Sequence, residues 1–146
     1  MATLRQLEAN VFVAPQIAET DFAELVSRGF RSVVDNRPDG EADDQMPHDA
    51  AEAAAQMHGL AFRYEPVRNA DITEDAHVGA FDAALKELPG PVLFYCRTGT
   101  RCTLLWAQAR VAELGLAETV RRAEAAGYDL SPILETLRHR AEPFAK

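Results

Sequence analysis

The sequence predicts a three-layer α/β domain, with a mainly parallel central sheet flanked by helices. Three observations carry that expectation. Short apolar runs rich in Val, Phe and Tyr alternate with longer stretches at helical spacing, the pattern of parallel strands joined by crossover helices. One run, Val92, Leu93, Phe94 and Tyr95, is apolar at every position, as a strand covered on both faces must be. The chain has 146 residues, 47% hydrophobic and 26% charged, which suits a single domain over 1–146 with a core from about 4 to 140.

Taken in order, Val11, Phe12 and Val13 mark a short strand at 10–13. A helix follows with Thr20 as cap, Asp21 and Glu24 in its first turn and Phe22, Leu25 and Val26 as apolar stripe, ending at Gly29. Residues 31–35, with Val33 and Val34, read as a second strand. Residues 36–45 form a polar loop with Pro38 and Gly40, and a loop of that length in a compact domain is more often functional than not. Alanine-rich 48–58 is helical up to Gly59, and 61–67 reads as a strand through Phe62 and Tyr64, closed by Pro66. After a turn at 69–73 with Thr73 as cap, Val78, Phe81, Leu85 and Leu88 place a helix over 74–88. Pro89 and Gly90 break it, and Pro91 opens the strand 92–95. Helices are expected at 103–114, apolar nearly all round, and at 117–126 up to Gly127, with Ser131-Pro132 starting a last one. The tail after Pro143 is expected to fray.

The net charge of −8 argues against nucleic acid or an acidic membrane surface as partner, since both need basic patches. No apolar run approaches the ~20 residues that span a bilayer, and residues 1–13 lack the core of a signal peptide, so the cytoplasm is the expected compartment. Two cysteines six positions apart make neither a disulfide framework nor a zinc pattern. His48, His58, His77 and His139 have no ligand-like spacing and read as surface residues. No metal or cofactor is expected.

The chemistry concentrates where the strand 92–95 ends. Cys96 is followed by Arg97, Thr98, Gly99, Thr100, Arg101 and Cys102, and then by the apolar helix. Strand, loop and helix in that order bring backbone amides together at a helix N-terminus, where partial positive charge favours an anion. A cysteine there is a thiolate near neutral pH and a nucleophile, the rival reading being a buried structural cysteine. Arg101 offers a planar fork to an oxyanion. Gly99 supplies a backbone angle other residues resist, while Arg97, Thr98 and Thr100 complete a substrate-binding loop.

Cys96-x4-Arg101 resembles the signature loop of cysteine-dependent phosphatases and also that of rhodanese-type sulfurtransferases. Three further stretches, residues 36–41 (Asn-Arg-Pro-Asp-Gly-Glu), 65–67 (Glu-Pro-Val) and 126–130 (Ala-Gly-Tyr-Asp-Leu), resemble the phosphatase-like domain of beta-lactamase hydrolase-like proteins, a bacterial family. The resemblance covers about 4 to 134 and implies a protein-tyrosine-phosphatase-like fold. It implies that Arg101 holds the substrate and its transition state. It makes Asp71, on the loop before the long helix 74–88, the first candidate general acid, with Asp39 the second; either aspartate is otherwise ordinary turn chemistry. Cys102 stands where many related loops carry a serine or threonine bonded to the thiolate. It either pairs with Cys96 or is simply a small residue at the helix start. Tyr128 and Asp129 either pack beside this loop or, as the preferred reading, serve as a helix end.

Three functions follow. The first is a phosphatase-like hydrolase in which Cys96 attacks phosphorus and a thiophosphate forms. The second is a sulfurtransferase that carries a persulfide on Cys96, working beside a persulfide-handling enzyme. The third is a non-catalytic anion-binding module. Two departures from the phosphatase pattern matter: four residues rather than five lie between Cys96 and Arg101, and Tyr95 stands where histidine is usual. The partner is a small anionic substrate or a phosphoprotein.

Overall fold

The structure is a computed structural model that describes residues 2–142. The expected fray after Pro143 lies outside these residues. Five strands form one sheet: β1 (Arg5–Glu8), β2 (Val11–Ala14), β3 (Ser32–Asp35), β4 (Ala61–Tyr64) and β5 (Val92–Tyr95), in the order β1-β2-β5-β3-β4. Every pairing except β1 with β2 is parallel. β5 is central, as its unbroken apolar run predicts. β1 is not among the expected strands. It is a polar edge strand whose single deeply buried side chain is Leu7, so it carries no apolar alternation to read.

Alternation along β5 divides the core. Leu93 and Tyr95 join Phe22 and Leu25 of α1 (Asp21–Ser27) and Ala51 and Ala55 of α2 (His48–Met57) on one face. Val92 and Phe94 join α3 (Asp75–Glu87), α4 (Thr100–Leu114), α5 (Leu116–Ala125) and α6 (Leu134–Ala141) on the other. Phe94 stacks on Phe81 with ring centroids 4.0 Å apart. Burying a ring of that size is worth ~1.5–3 kcal/mol. Trp106 is fully buried and gives its indole N–H to Glu8 at 2.7 Å, so the edge strand is tied to the central helix by a side chain.

Several boundaries differ from expectation for local reasons. α4 begins three residues early, at Thr100, because Gly99 turns the chain directly into the helix and its carbonyl receives the Thr103 amide. β4 stops at Tyr64; beyond it Glu65 and Val67 still donate to the Asp35 and Asn36 carbonyls, but Pro66 has no N–H to continue a ladder. The hydroxyl of Thr20 makes no cap bond; instead the carboxylate of Asp21 accepts the Ala18 amide at 2.8 Å. Thr73 is not a cap either: Glu74 precedes α3, and the Thr73 carbonyl accepts from Arg140. Ser131-Pro132 opens a single 3-10 turn before α6, held by Asp129 through the Ser131 amide and hydroxyl at 2.9 Å each. Among the described residues, no helix is long and apolar enough to cross a membrane.

Candidate active site

Cys96 follows β5 at the carboxyl end of the sheet, where open α/β sheets gather their ligands. Its side chain is fully buried, and its amide donates to the Ala14 carbonyl at 3.3 Å. Arg97, Thr98 and Gly99 then carry the chain into α4. Gly99 has φ of +89°, and a Cβ at this position would run into the Tyr128 hydroxyl. All three carbonyls of this turn are held by donors elsewhere. Arg97 accepts from the Gln16 amide at 3.3 Å, Thr98 from the Tyr128 hydroxyl at 3.1 Å, and Gly99 from the amide and hydroxyl of Thr103. The Gly99 amide points the other way, donating to the Cys96 sulfur at 3.1 Å. The hydroxyls of Thr98 and Thr100 bond each other at 2.9 Å and close the turn. Thus the negative ends of the peptide dipoles are tied back while a positive end faces the sulfur. Tyr128 thus packs beside the loop and is more than a helix end, the less favoured of the two readings of its sequence position.

This field brings the Cys96 thiol down to about 6. The largest cause is a hydrogen bond from the Cys102 thiol. Burial opposes it, and the Cys102 amide, the charge of Arg101 and the Thr98 amide assist it. Cys102 is itself fully buried, and burial beside another sulfur pushes its thiol well up. The pair therefore holds one proton near neutral pH, on Cys102. Replacing Cys102 by alanine is expected to raise the pH midpoint for alkylation of Cys96 by iodoacetate from about 6 by about one unit. An unmoved midpoint would show that the neighbouring thiol is not what stabilises the thiolate.

Arg101 is 5% exposed and sits in the first turn of α4, where a positive charge opposes the helix dipole. It is held there by Glu41. Nη1 donates to Oε2 at 2.8 Å and Nη2 to Oε1 at 2.7 Å, a fork-to-fork pair, while Nη1 also donates to the Val67 carbonyl at 2.9 Å. A guanidinium has about five N–H donors, so Nε–H and one hydrogen of Nη2 keep no partner among the described residues. Glu41 also accepts Nε of Arg37 at 3.0 Å, and Arg37 reaches the side-chain oxygen of Gln16 at 3.0 Å. The bond to Arg101 is the main reason the Glu41 carboxyl lies below its usual range. Neither Glu41 nor Arg37 is among the sequence-predicted site residues; 60 positions separate Glu41 from the arginine it anchors. The hints are the length of the loop that carries them and their place in the family-resembling stretch 36–41.

Beside the loop, Asp35 ends β3 opposite Tyr95 in register. Its Oδ1 accepts the Arg37 amide at 2.8 Å, while its buried Oδ2 and the buried Tyr95 hydroxyl interact with each other short of full hydrogen-bond geometry. Burial raises the Asp35 carboxyl to about 6. A carboxyl raised in the fold stabilises it below about pH 4 and loses that contribution as pH climbs through about 6. Asp35→Asn removes this loss while keeping an acceptor for Arg37. Relative to the wild type it is expected to gain roughly 2–3 kcal/mol between pH 4 and pH 8, read as a melting-temperature difference that grows over that interval. A difference that stays flat would refute the assignment.

Arg97 is exposed, and its guanidinium makes no hydrogen bond or ion pair with the other described residues. Asp71 lies in a 3-10 turn (Asn69–Asp71), bonded to Arg68 at 2.9 Å. The segment bearing it runs along α4 from Val67, bonded to Arg101, to Ile72, whose carbonyl accepts from Gln108. Seven helical residues span about 10 Å, so Asp71 stands back from the loop, and no hydrogen bond joins it to residues 96–102. Asp39 spends both carboxylate oxygens on His48, at its amide (2.9 Å) and ring nitrogen (2.6 Å), and the His48 ring stacks on Tyr64. His48 thus pins the polar loop to α2 and is more than a surface residue. Among the described residues, Asp71, Glu74 and His77 present donor atoms within 4.8 Å of one another. Arg68 and the contact of His77 with Glu74 at 3.5 Å already engage that group.

A family model described as the phosphatase-like domain of beta-lactamase hydrolase-like proteins matches residues 3–113. This chain belongs to that family. The matched span contains Glu41, Asp71, Cys96 and Arg101 and ends before Tyr128. A beta-lactamase hydrolase-like protein of Xylella fastidiosa (strain Temecula1) is 37% identical over 137 residues, covering 92% of this chain and 32% of that protein. The chain therefore spans about a third of the length of the curated relatives it matches. The crystal structure of a candidate phosphatase from Neisseria meningitidis Z2491 superposes with a TM-score of 0.84 at 33% identity, covering 93% of this chain and 96% of the other. Human DUSP28 shares the fold, with a TM-score of 0.64 at 20% identity over 96% of this chain and 93% of its own. The fold is that of the protein-tyrosine and dual-specificity phosphatases, and the domain is phosphatase-like, as the sequence resemblance implies.

Proposed function

We propose that this domain hydrolyses phosphate monoesters through the Cys96 thiolate. The observation that carries the proposal is the pairing of a thiolate near pKa 6 with a buried arginine whose fork is anchored on one side by Glu41 and unfilled on the other. Cys96 Sγ attacks phosphorus, the sulfur–phosphorus bond forms and the ester oxygen departs with its electron pair. Water then attacks the thiophosphate, releasing phosphate and restoring the thiolate. Arg101 and the amides of the turn, with Arg97, Thr98 and Thr100 around them, bind the equatorial oxygens as charge moves onto them.

The departing oxygen needs a proton unless it belongs to a good leaving group. Of the two candidate acids, Asp71 is the better placed to move, because its bond is to an exposed arginine and such pairs are worth ~0–1 kcal/mol. Asp71→Asn is expected to lower kcat about 30-fold or more on an alkyl phosphate, and only a few-fold on p-nitrophenyl phosphate. An equal effect on both esters would remove Asp71 from that role, and a selective loss in Asp39→Asn would transfer it.

Sulfur transfer is the second reading. It is favoured by the four-residue spacing between Cys96 and Arg101, and by the engagement of Asp71 with Arg68 and of Asp39 with His48 rather than with residues 96–102, since passing a sulfane sulfur between thiols requires no general acid. A persulfide-handling enzyme would be its partner. The deciding experiment measures phosphate release from an aryl phosphate by the wild type and by Cys96→Ser, with intact mass after thiosulfate on the same preparation. Release lost in the variant supports the phosphatase. Added sulfur on Cys96 without release supports transfer. A protein thermally stabilised by phosphate that shows neither is an anion-binding module.

A further inference from the structure

We propose that a cleft beside the Cys96 loop receives a cationic side chain of the substrate, so that the preferred substrate is a phosphorylated residue flanked by lysine or arginine. This rests on the phosphatase reading and specifies its substrate. The cleft has a volume of about 520 Å³ and lies between the segment after β2, from Gln16 to Asp21, and the chain entering α2, from Asp43 to Ala50. Gln16 belongs to both the cleft and the anion loop. Its amide bonds the Arg97 carbonyl, and its side chain bonds Arg37, which holds Glu41 and through it Arg101.

The sign of the charge reverses across Gln16. On the loop side stand Arg37, Arg97 and Arg101. On the cleft side stand the exposed carboxylates of Glu19, Asp43 and Asp44, and none of these three bonds or pairs with another described residue. Other carboxylates of the chain do hold arginines: Glu8 pairs with Arg110, Glu41 with Arg101, and Glu118 with Arg121 and Arg122. No residue lining the cleft is basic. Its apolar surface, from Ile17, Met46 and Pro47, suits the methylene stem of a lysine or arginine whose charged head reaches the rim. A phosphate with a cation one or two residues away is attracted at both ends. A volume of this size holds more than one side chain, which favours a peptide segment over a lone amine.

The test compares kcat/KM for p-nitrophenyl phosphate, a phosphotyrosine peptide with lysines on either side, and the same peptide with glutamates. The basic peptide is expected to be favoured by about tenfold or more, the worth of two or three partly screened ion pairs. That preference should shrink toward parity in D43N/D44N and at about 0.5 M salt. Turnover of p-nitrophenyl phosphate should be unchanged by the double substitution, which alters only exposed residues. Equal rates on the two peptides, or a preference that survives the double substitution, overturn the cationic cleft and leave the phosphatase reading standing. Absence of phosphate release from all three substrates overturns the phosphatase reading, and the cleft proposal with it.

Discussion

Replacing Cys96 by serine is expected to lower aryl phosphate turnover by roughly 10⁴-fold or more, measured near pH 6.5 at saturating substrate. The loop brings the thiol from its ordinary 9 to about 6, so most of it is thiolate under these conditions. A hydroxyl starts several units higher, and the same environment leaves almost none of it ionised. Serine is also the less polarisable nucleophile toward phosphorus. The substitution is nearly isosteric in a fully buried position, so the variant should fold and should still be thermally stabilised by phosphate. That combination, binding without turnover, separates loss of the nucleophile from loss of the fold. Turnover retained within about tenfold would sink the covalent mechanism.

The second large effect is expected from Arg101→Lys, about 10³-fold in kcat/KM on the same substrate. Positive charge is kept, so a merely electrostatic role predicts a small loss. What disappears is the planar fork. An ammonium cannot hold both Glu41 oxygens and the Val67 carbonyl while leaving two parallel donors for a phosphoryl group. The loss should fall mainly on kcat, because the contacts matter most when charge spreads over the equatorial oxygens in the transition state. Loss confined to KM would mean that Arg101 only collects substrate. Glu41→Gln should give a milder form of the same defect, since it weakens the anchor without removing the fork.

Much of the architecture is legible residue by residue. Val92 to Tyr95 announce a central strand because nothing in them tolerates water. Val78, Phe81, Leu85 and Leu88 announce a helix by spacing alone. Cys96, Gly99 and Arg101 are legible because a cysteine, a permissive turn residue and a planar cationic fork stand within six positions at a strand-to-helix junction. β1 is not legible, since an edge strand that buries little more than Leu7 has the pattern of a loop. Nor are the start of α4 at Thr100, which depends on Gly99 adopting positive φ, or the standoff between Asp71 and the loop, which depends on how its segment lies along α4.

By itself, the sequence determined the sheet-and-helix plan, the position of β5 and the cysteine of the candidate site. Those features depend on side-chain polarity and on groups close together in the chain. Only the tertiary structure decided what tunes and anchors them. Glu41 meets Arg101 because the β3 loop and α4 converge at one end of the sheet. Tyr128 meets Thr98 because α5 folds back over α4. Ion pairs and hydrogen bonds act over a few ångströms, and only folding brings partners 30 to 60 residues apart within that range.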